Sequence, residues 1–271
     1  MKLCISTLVC PAWTFQQIID QCHTHGVNGI DFRGIASEID ITRLPQFTTE
    51  IGETLRVLNE KNLRMPCLNL STTLITTDTQ RWESFLEESR RYAKVAQQTQ
   101  TRFLRVFGGR VPPEELTRES ARDLAKSHLN ELAQIALAHD CQILWETHDD
   151  WCTSDEMLPV LESFSPDEVG VLWDIEHPFR KGESPERTVE RMGKFIKHIH
   201  IKDSDRVDSR SIPRLIGEGT LPIVPCLHAL RSIDYTGWFC LETEKRWRAE
   251  APEPEQTIPQ FVAYMRKTLA A

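Results

Sequence analysis

Eight short apolar runs, each followed by a longer segment of helical period, recur along the 271 residues of this chain. They are KLCIST from Lys2, GIDFR from Gly29, RMPCLNL from Arg64 and FLRVF from Phe103, then ILWET from Ile143, VGVLWD from Val169, HIHIK from His198 and WFCLE from Trp238. Each is rich in Val, Ile, Leu, Phe or Cys and turns polar at its carboxyl end. Near-continuous hydrophobic strands of this kind suit a parallel sheet covered on its outer face. Between them, Asp78 is a predicted N-cap for a helix whose apolar stripe is Trp82, Phe85, Leu86, Tyr92, Ala93 and Ala96. Ala125, Leu129, Leu132 and Ala136 form a second stripe. A repeat of about 26–40 residues predicts a single (β/α)8 barrel over residues 1–271. The competing doubly wound sheet normally has fewer strands and a GxGxxG after an early strand, which is missing here.

A barrel of this type carries its chemistry at the carboxyl ends of its strands. Four late strands end in residues that ligate metals: Glu146 in ILWET, Asp174 in VLWDIEHP, His200 in HIHIKD and Glu242 in FCLETE. A barrel would bring all four to one rim, where carboxylates would repel one another without a cation between them. Three carboxylates and an imidazole make a mainly oxygen site for one divalent ion. Mn²⁺ or Mg²⁺ fits best, with Co²⁺ or Zn²⁺ as alternatives.

Composition narrows the partners. A net charge of −8, from 40 acidic and 32 basic residues, gives no broad attraction for nucleic acid or anionic membrane. No apolar run approaches the roughly 20 residues of a membrane helix. The start, MKLCISTLVCPAW, reads as the first strand and not as a signal peptide. The eight cysteines are scattered without a CxxC pair, so a reducing cytoplasm is the expected compartment.

These runs carry a likeness. GVNGIDFR, LRVFGG, LWETH, WDIEHP, HIHIKD, GEG and GWFCLE make the chain resemble, over nearly its whole length, the xylose-isomerase-like TIM-barrel superfamily of sugar isomerases and epimerases. The resemblance implies that Glu146, Asp174, His200 and Glu242 bind the metal, and that Glu146 and Glu242 are the catalytic pair. It also implies substrate contacts for His177 and Arg206, as in ketose epimerases. Arg33, His148 and Lys202 join them as substrate-binding candidates, while Asp203 reads as structural and His198 as packing below the metal. Trp13, Phe107 and Trp151 are candidates for an apolar wall, Gly108 and Gly109 for a sharp turn, and Glu218 for a place near the site. One departure stands out: ketose 3-epimerases usually carry a second glutamate six residues after the fifth-strand ligand, where this chain has Cys152.

The expected activity is a metal-dependent isomerisation or epimerisation of a sugar, sugar derivative or polyol, by proton transfer through a metal-stabilised enediolate. The alternative within the superfamily is a metal-dependent dehydratase or lyase, in which the same enolate expels a β-hydroxyl. A non-catalytic sugar-binding barrel is a third reading. An apurinic-site endonuclease is disfavoured, because Asn69 and Phe107 stand where its extra histidine ligands belong. A small sugar or polyol is the expected partner, and the superfamily's habit leaves a homo-oligomer open.

Overall fold

The computed structural model describes residues 2–208 and 210–270. Its strands are β1 (Lys2–Ser6), β2 (Gly29–Asp31), β3 (Cys67–Thr73), β4 (Phe103–Phe107), β5 (Gln142–Glu146), β6 (Val169–Asp174), β7 (Ile196–Ile201), β8 (Asp203–Val207), β9 (Arg210–Arg214) and β10 (Trp238–Leu241). The helices are α1 (Phe15–His25), α2 (Ile51–Glu60), α3 (Thr79–Thr99), α4 (Arg118–Leu137), α5 (Ser154–Leu161), α6 (Glu176–Arg180), α7 (Pro185–Met192), α8 (Ile223–Arg231) and α9 (Pro254–Ala270). Eight parallel strands, in the order β2-β1-β10-β7-β6-β5-β4-β3, form the nearly closed barrel that the repeat predicts. Among the described residues no helix is long and apolar enough to cross a membrane.

Two boundaries differ from the sequence expectation. The third strand begins at Cys67 and not at Arg64, since Pro66 has no N–H to give a ladder. Arg64 contributes only an isolated bridge to Gly29. The polar stretch after Asp203, which is not among the eight runs, forms the antiparallel hairpin β8–β9, with Asp205 opposite Ile212 and Arg206 opposite Ser211. Asp208 takes the turn with φ 45°, a left-handed conformation that aspartate tolerates.

The residues form two compact units, one of Met1–Pro66 with Ile199–Ala271 and one of Cys67–His198, divided within β7. In the central unit, Cys67–His198, strands β3 to β6 pair in sequence order. Side chains alternate across a strand, so residues two apart share a face. Cys67, Phe103, Leu144 and Leu172 pack together as one buried apolar layer. Two residues further along the same strands come Asn69, Arg105, Glu146 and Asp174, all buried. The strands thus pass from hydrocarbon to polar groups within two residues.

The helices of this unit follow their sequence signals. Asp78 caps α3 by accepting from the backbone N–H groups of Gln80 and Arg81. Trp82, Leu86, Tyr92, Ala93 and Ala96 are buried along α3, as are Ala125, Leu129, Leu132 and Ala136 along α4. Where the two meet, the His128 ring stacks on Trp82 with centroids 3.5 Å apart. Its Nδ1 lies 2.7 Å from the Leu74 carbonyl oxygen, to which it donates. Burial lowers the His128 pKa below its ordinary 6.5, against the opposing pull of that hydrogen bond and of Glu131. The unfolded chain therefore takes up a proton on this histidine at a higher pH than the folded one. Stability is expected to be full above pH 6.5 and to fall as the pH drops from there toward the folded value. Urea midpoints taken across that window measure the loss, and His128→Phe, which keeps the stack without the proton, should flatten it.

In the terminal unit, Met1–Pro66 with Ile199–Ala271, β1 pairs with β10 and with β2, placing Cys4 opposite Cys240 and Ser6 opposite Asp31. A capping box of Thr14 and Gln17 starts α1, and Gly26, with φ 70°, ends it. Ile258, Phe261, Val262 and Met265 bury one face of α9.

Candidate active site

In the central unit the polar layer is a set of paired side chains. Glu146, at the end of β5, is 2% exposed and lies 3.2 Å from Arg105 Nε. The same Nε reaches Asn69 Oδ1 at 3.1 Å, and the guanidinium carbon sits 3.8 Å from the Phe107 ring centroid. Asp174, at the end of β6, is 0% exposed, and one of its oxygens comes within 4.8 Å of a Glu146 oxygen. Its Oδ1 accepts from the Glu176 backbone N–H, which turns the chain into α6, while Oδ2 is 3.7 Å from His177 Nε2. Thr147 fixes the spacing of the two strand ends. Its hydroxyl accepts from the Asp174 N–H and donates to the Asp174 carbonyl.

His148 and His177 lie over these carboxylates with ring centroids 4.3 Å apart, and Phe107 packs 4.8 Å from His148. His148 Nδ1 pairs with Asp149 at 3.1 Å. Burial pulls the His148 pKa down, but the bond to Asp149 and the charges of Glu146, Asp149 and Asp174 outweigh it, so it stands above 6.5. The bond from His148 in turn holds Asp149 below its ordinary range.

In the terminal unit His200, 1% exposed, places Nε2 3.9 Å from Asp31 Oδ2. Glu242, 5% exposed and one residue past β10, forms an ion pair of 2.5 Å with Lys202. Its backbone N–H donates to the Ile201 carbonyl, tying the two strand ends together. Asp203 is structural, as expected. Its carboxylate accepts from the backbone N–H groups of Ser204, Gly217, Gly219 and Leu221, and so shapes the GEG turn. Asp203→Ala would leave these donors without their acceptor at a buried position, and should cost about 3–5 kcal/mol in urea unfolding. Asp203→Asn, which keeps an acceptor, should lose about half as much.

The structure brings Glu146, Asp174, His177 and His148 together in the central unit, and pairs Glu242 with Lys202 in the terminal one. Arg206 is exposed on β8. Arg33 does not close β2, which ends at Asp31; its backbone N–H donates to Thr7 Oγ1. Glu218 is exposed, and Trp13 and Trp151 are buried. Trp13 Nε1 donates to Glu255. Gly109 makes the expected turn with φ 83°. Gly108 is required for another reason, since a Cβ there would stand 2.3 Å from Trp151. The sequence reading missed Arg105 and Asp31. The signal for each was present: an arginine inside the apolar run FLRVF, and an aspartate inside GIDFR.

Carboxylates and an imidazole are donors of hard to borderline character. Glu146, Asp174 and His200 are among the described groups that could hold a metal ion.

A family model described as a xylose isomerase-like TIM barrel matches residues 19–268. The inosose dehydratase of Clostridium tetani is 26% identical over 149 residues, covering 48% of this chain and 49% of that protein. The chain spans about half the length of the curated relatives it matches. Among solved structures, the probable 3-DHS dehydratase AsbF of Bacillus anthracis is 17% identical, with a TM-score of 0.83 over 98% of this chain and 99% of that one. D-psicose 3-epimerase, solved in the presence of D-fructose, is 16% identical with a TM-score of 0.81, covering 100% of both chains. The IolI protein with a bound zinc atom is 18% identical with a TM-score of 0.80, over 100% of this chain and 97% of that one. At these identities the structural likeness is one of fold.

Proposed function

Since the chain belongs to the family of xylose isomerase-like TIM barrels, we propose that it is a metal-dependent isomerase or epimerase acting on a small sugar, sugar derivative or polyol. The observation that carries this reading is a pair of buried carboxylates at strand ends, each held by a cation: Glu146 by Arg105 and Glu242 by Lys202. A carboxylate held in that way is a fixed acceptor for a carbon-bound proton. Glu146, Asp174, His200 and Glu242 are the residues we assign to a divalent ion, and their donor chemistry fits one. When bound, the ion supplies Lewis acidity that polarises a substrate carbonyl and its neighbouring hydroxyl.

The chain's own groups do the rest. One of Glu146 and Glu242 takes the proton from the carbon beside the carbonyl, and the other returns a proton, so that a carbon is inverted or the carbonyl moves. His177, His148 and Lys202 bind and orient substrate hydroxyls, with Arg33 and Arg206 assigned to its outer polar groups. Phe107, half-buried against His148, keeps bulk water from the reacting carbon. The D-psicose 3-epimerase fold likeness supports this outcome.

A second reading is favoured by specific observations. The position where ketose 3-epimerases usually carry a further glutamate is Cys152, a buried thiol whose pKa burial pushes up to about 11. The matched Clostridium tetani relative is an inosose dehydratase. In that reading the same proton abstraction is followed by loss of a β-hydroxyl, to which His148 would give the proton. Incubating metal-loaded protein with ketoses and inososes and weighing the products separates the two. An unchanged mass supports the isomerase, and loss of water supports the dehydratase. No product from either class would contradict both.

A further inference from the structure

The polar and apolar layers of the two units differ in a way the proposed reaction does not use. In the central unit the layer beneath the carboxylates is built on Phe103, Leu144 and Leu172 with the single sulfur of Cys67. In the terminal unit the matching positions on β1 and β10 hold sulfur. Cys4 and Cys240 face each other in register, each 0% exposed. The Cys240 thiol donates to the Leu241 carbonyl at 3.7 Å. Asp31 is 0% exposed as well, and the two sulfurs and a carboxylate oxygen lie within 4.8 Å of one another.

We propose that Cys4, Cys240 and Asp31 form a second metal site, sulfur-rich and distinct in chemistry from the carboxylate site, that takes zinc or another borderline-soft divalent ion. Thiolates favour such ions more strongly than a carboxylate and imidazole set does. Zinc holds sulfur at about 2.3 Å, which sets two thiolates of a tetrahedral site about 3.8 Å apart, so the observed cluster closes on an ion with small side-chain shifts. On binding, each thiol gives its proton to solvent as its sulfur–metal bond forms, so one divalent ion replaces two protons and neither sulfur nor metal changes oxidation state. These residues supply three of the four donors of a tetrahedral ion. Full burial makes the site one that is filled as the chain folds and kept, a structural ion clamping β1, β2 and β10. Asp31 also faces His200 at 3.9 Å, so filling this site fixes the carboxylate beside a proposed ligand of the first.

Protein from zinc-supplemented culture, assayed by elemental analysis and zinc X-ray absorption, tests this. The expected result is two ions per chain with sulfur neighbours at about 2.3 Å, and a near-ultraviolet thiolate-to-metal band when cobalt replaces zinc. Cys4→Ser with Cys240→Ser should remove the sulfur signal and one ion. His200→Asn with Asp174→Asn should remove the other ion and keep the sulfur signal. The wild-type spectrum needs no variant, so a misfolded variant does not decide the matter. Zinc-loaded wild type with only nitrogen and oxygen neighbours would overturn the proposal. One ion per chain with sulfur neighbours would support it while contradicting the carboxylate site.

Discussion

Glu146→Gln and Glu242→Gln should each lower kcat by about 10³-fold while the chain stays folded. A positioned general base contributes about 10²–10⁴-fold, and an amide of the same shape cannot take a proton. The substitution is mild in other respects. The new amide oxygen can still accept from Arg105 Nε at position 146, or from Lys202 at position 242, where the carboxylates now lie 3.2 Å and 2.5 Å away. What is lost is the opposite charge for a buried cation. Arg105 keeps Asn69 and the face of Phe107, so the stability cost should be about 1–3 kcal/mol. Steady-state kinetics measured beside thermal unfolding would separate the two effects. Turnover within a factor of about two of wild type in either variant would remove that residue from the mechanism.

Asp174→Asn and His200→Asn should abolish the stabilisation of the protein by added metal. A ligand at about 100 times its Kd adds about 2.7 kcal/mol to the folded state. For a chain of this size that is a rise in Tm of about 5–10 °C. In the proposed site Asp174 would offer Oδ2, since Oδ1 accepts from the Glu176 N–H, and the amide of asparagine is a neutral and weaker donor. Asn at 200 replaces an imidazole by an amide that metals bind far less tightly. Thermal scans with and without Mn²⁺ or Mg²⁺ would show a shift in wild type and none in the variants. An equal shift in all three would place the ion elsewhere.

The sequence made the barrel legible because its strands are buried on both faces, so each is a nearly pure apolar run that no amphipathic helix imitates. The strand-end acids were legible for the same reason: Glu146 and Asp174 interrupt hydrocarbon where the chain leaves it. What stayed hidden depends on pairing between strands. Arg105 sits mid-strand, and only its register beside β3 and its contact with Glu146 explain a charge there. Asp31 was passed over for Arg33 because β2 stops two residues earlier than its apolar pattern suggests. The β8–β9 hairpin was hidden because DSDRV and RSIPR have no apolar face. Their pairing rests on backbone bonds and on Arg214 with Asp205 at 2.8 Å. The clamp of Glu183 on Ser154 and Thr188 joins two segments about 30 residues apart and leaves no local trace.

The proposed chemistry reduces to metal-assisted removal of a proton beside a carbonyl, followed by delivery of a solvent-derived proton from the second carboxylate. Reaction in deuterium oxide with a turned-over ketose, read by mass spectrometry and proton NMR, observes that step. The expected product keeps the substrate's heavy atoms and carries deuterium at the carbon beside the carbonyl, only while the divalent ion is present. A product that has lost water, or one formed at the same rate after chelation of the metal, would contradict it.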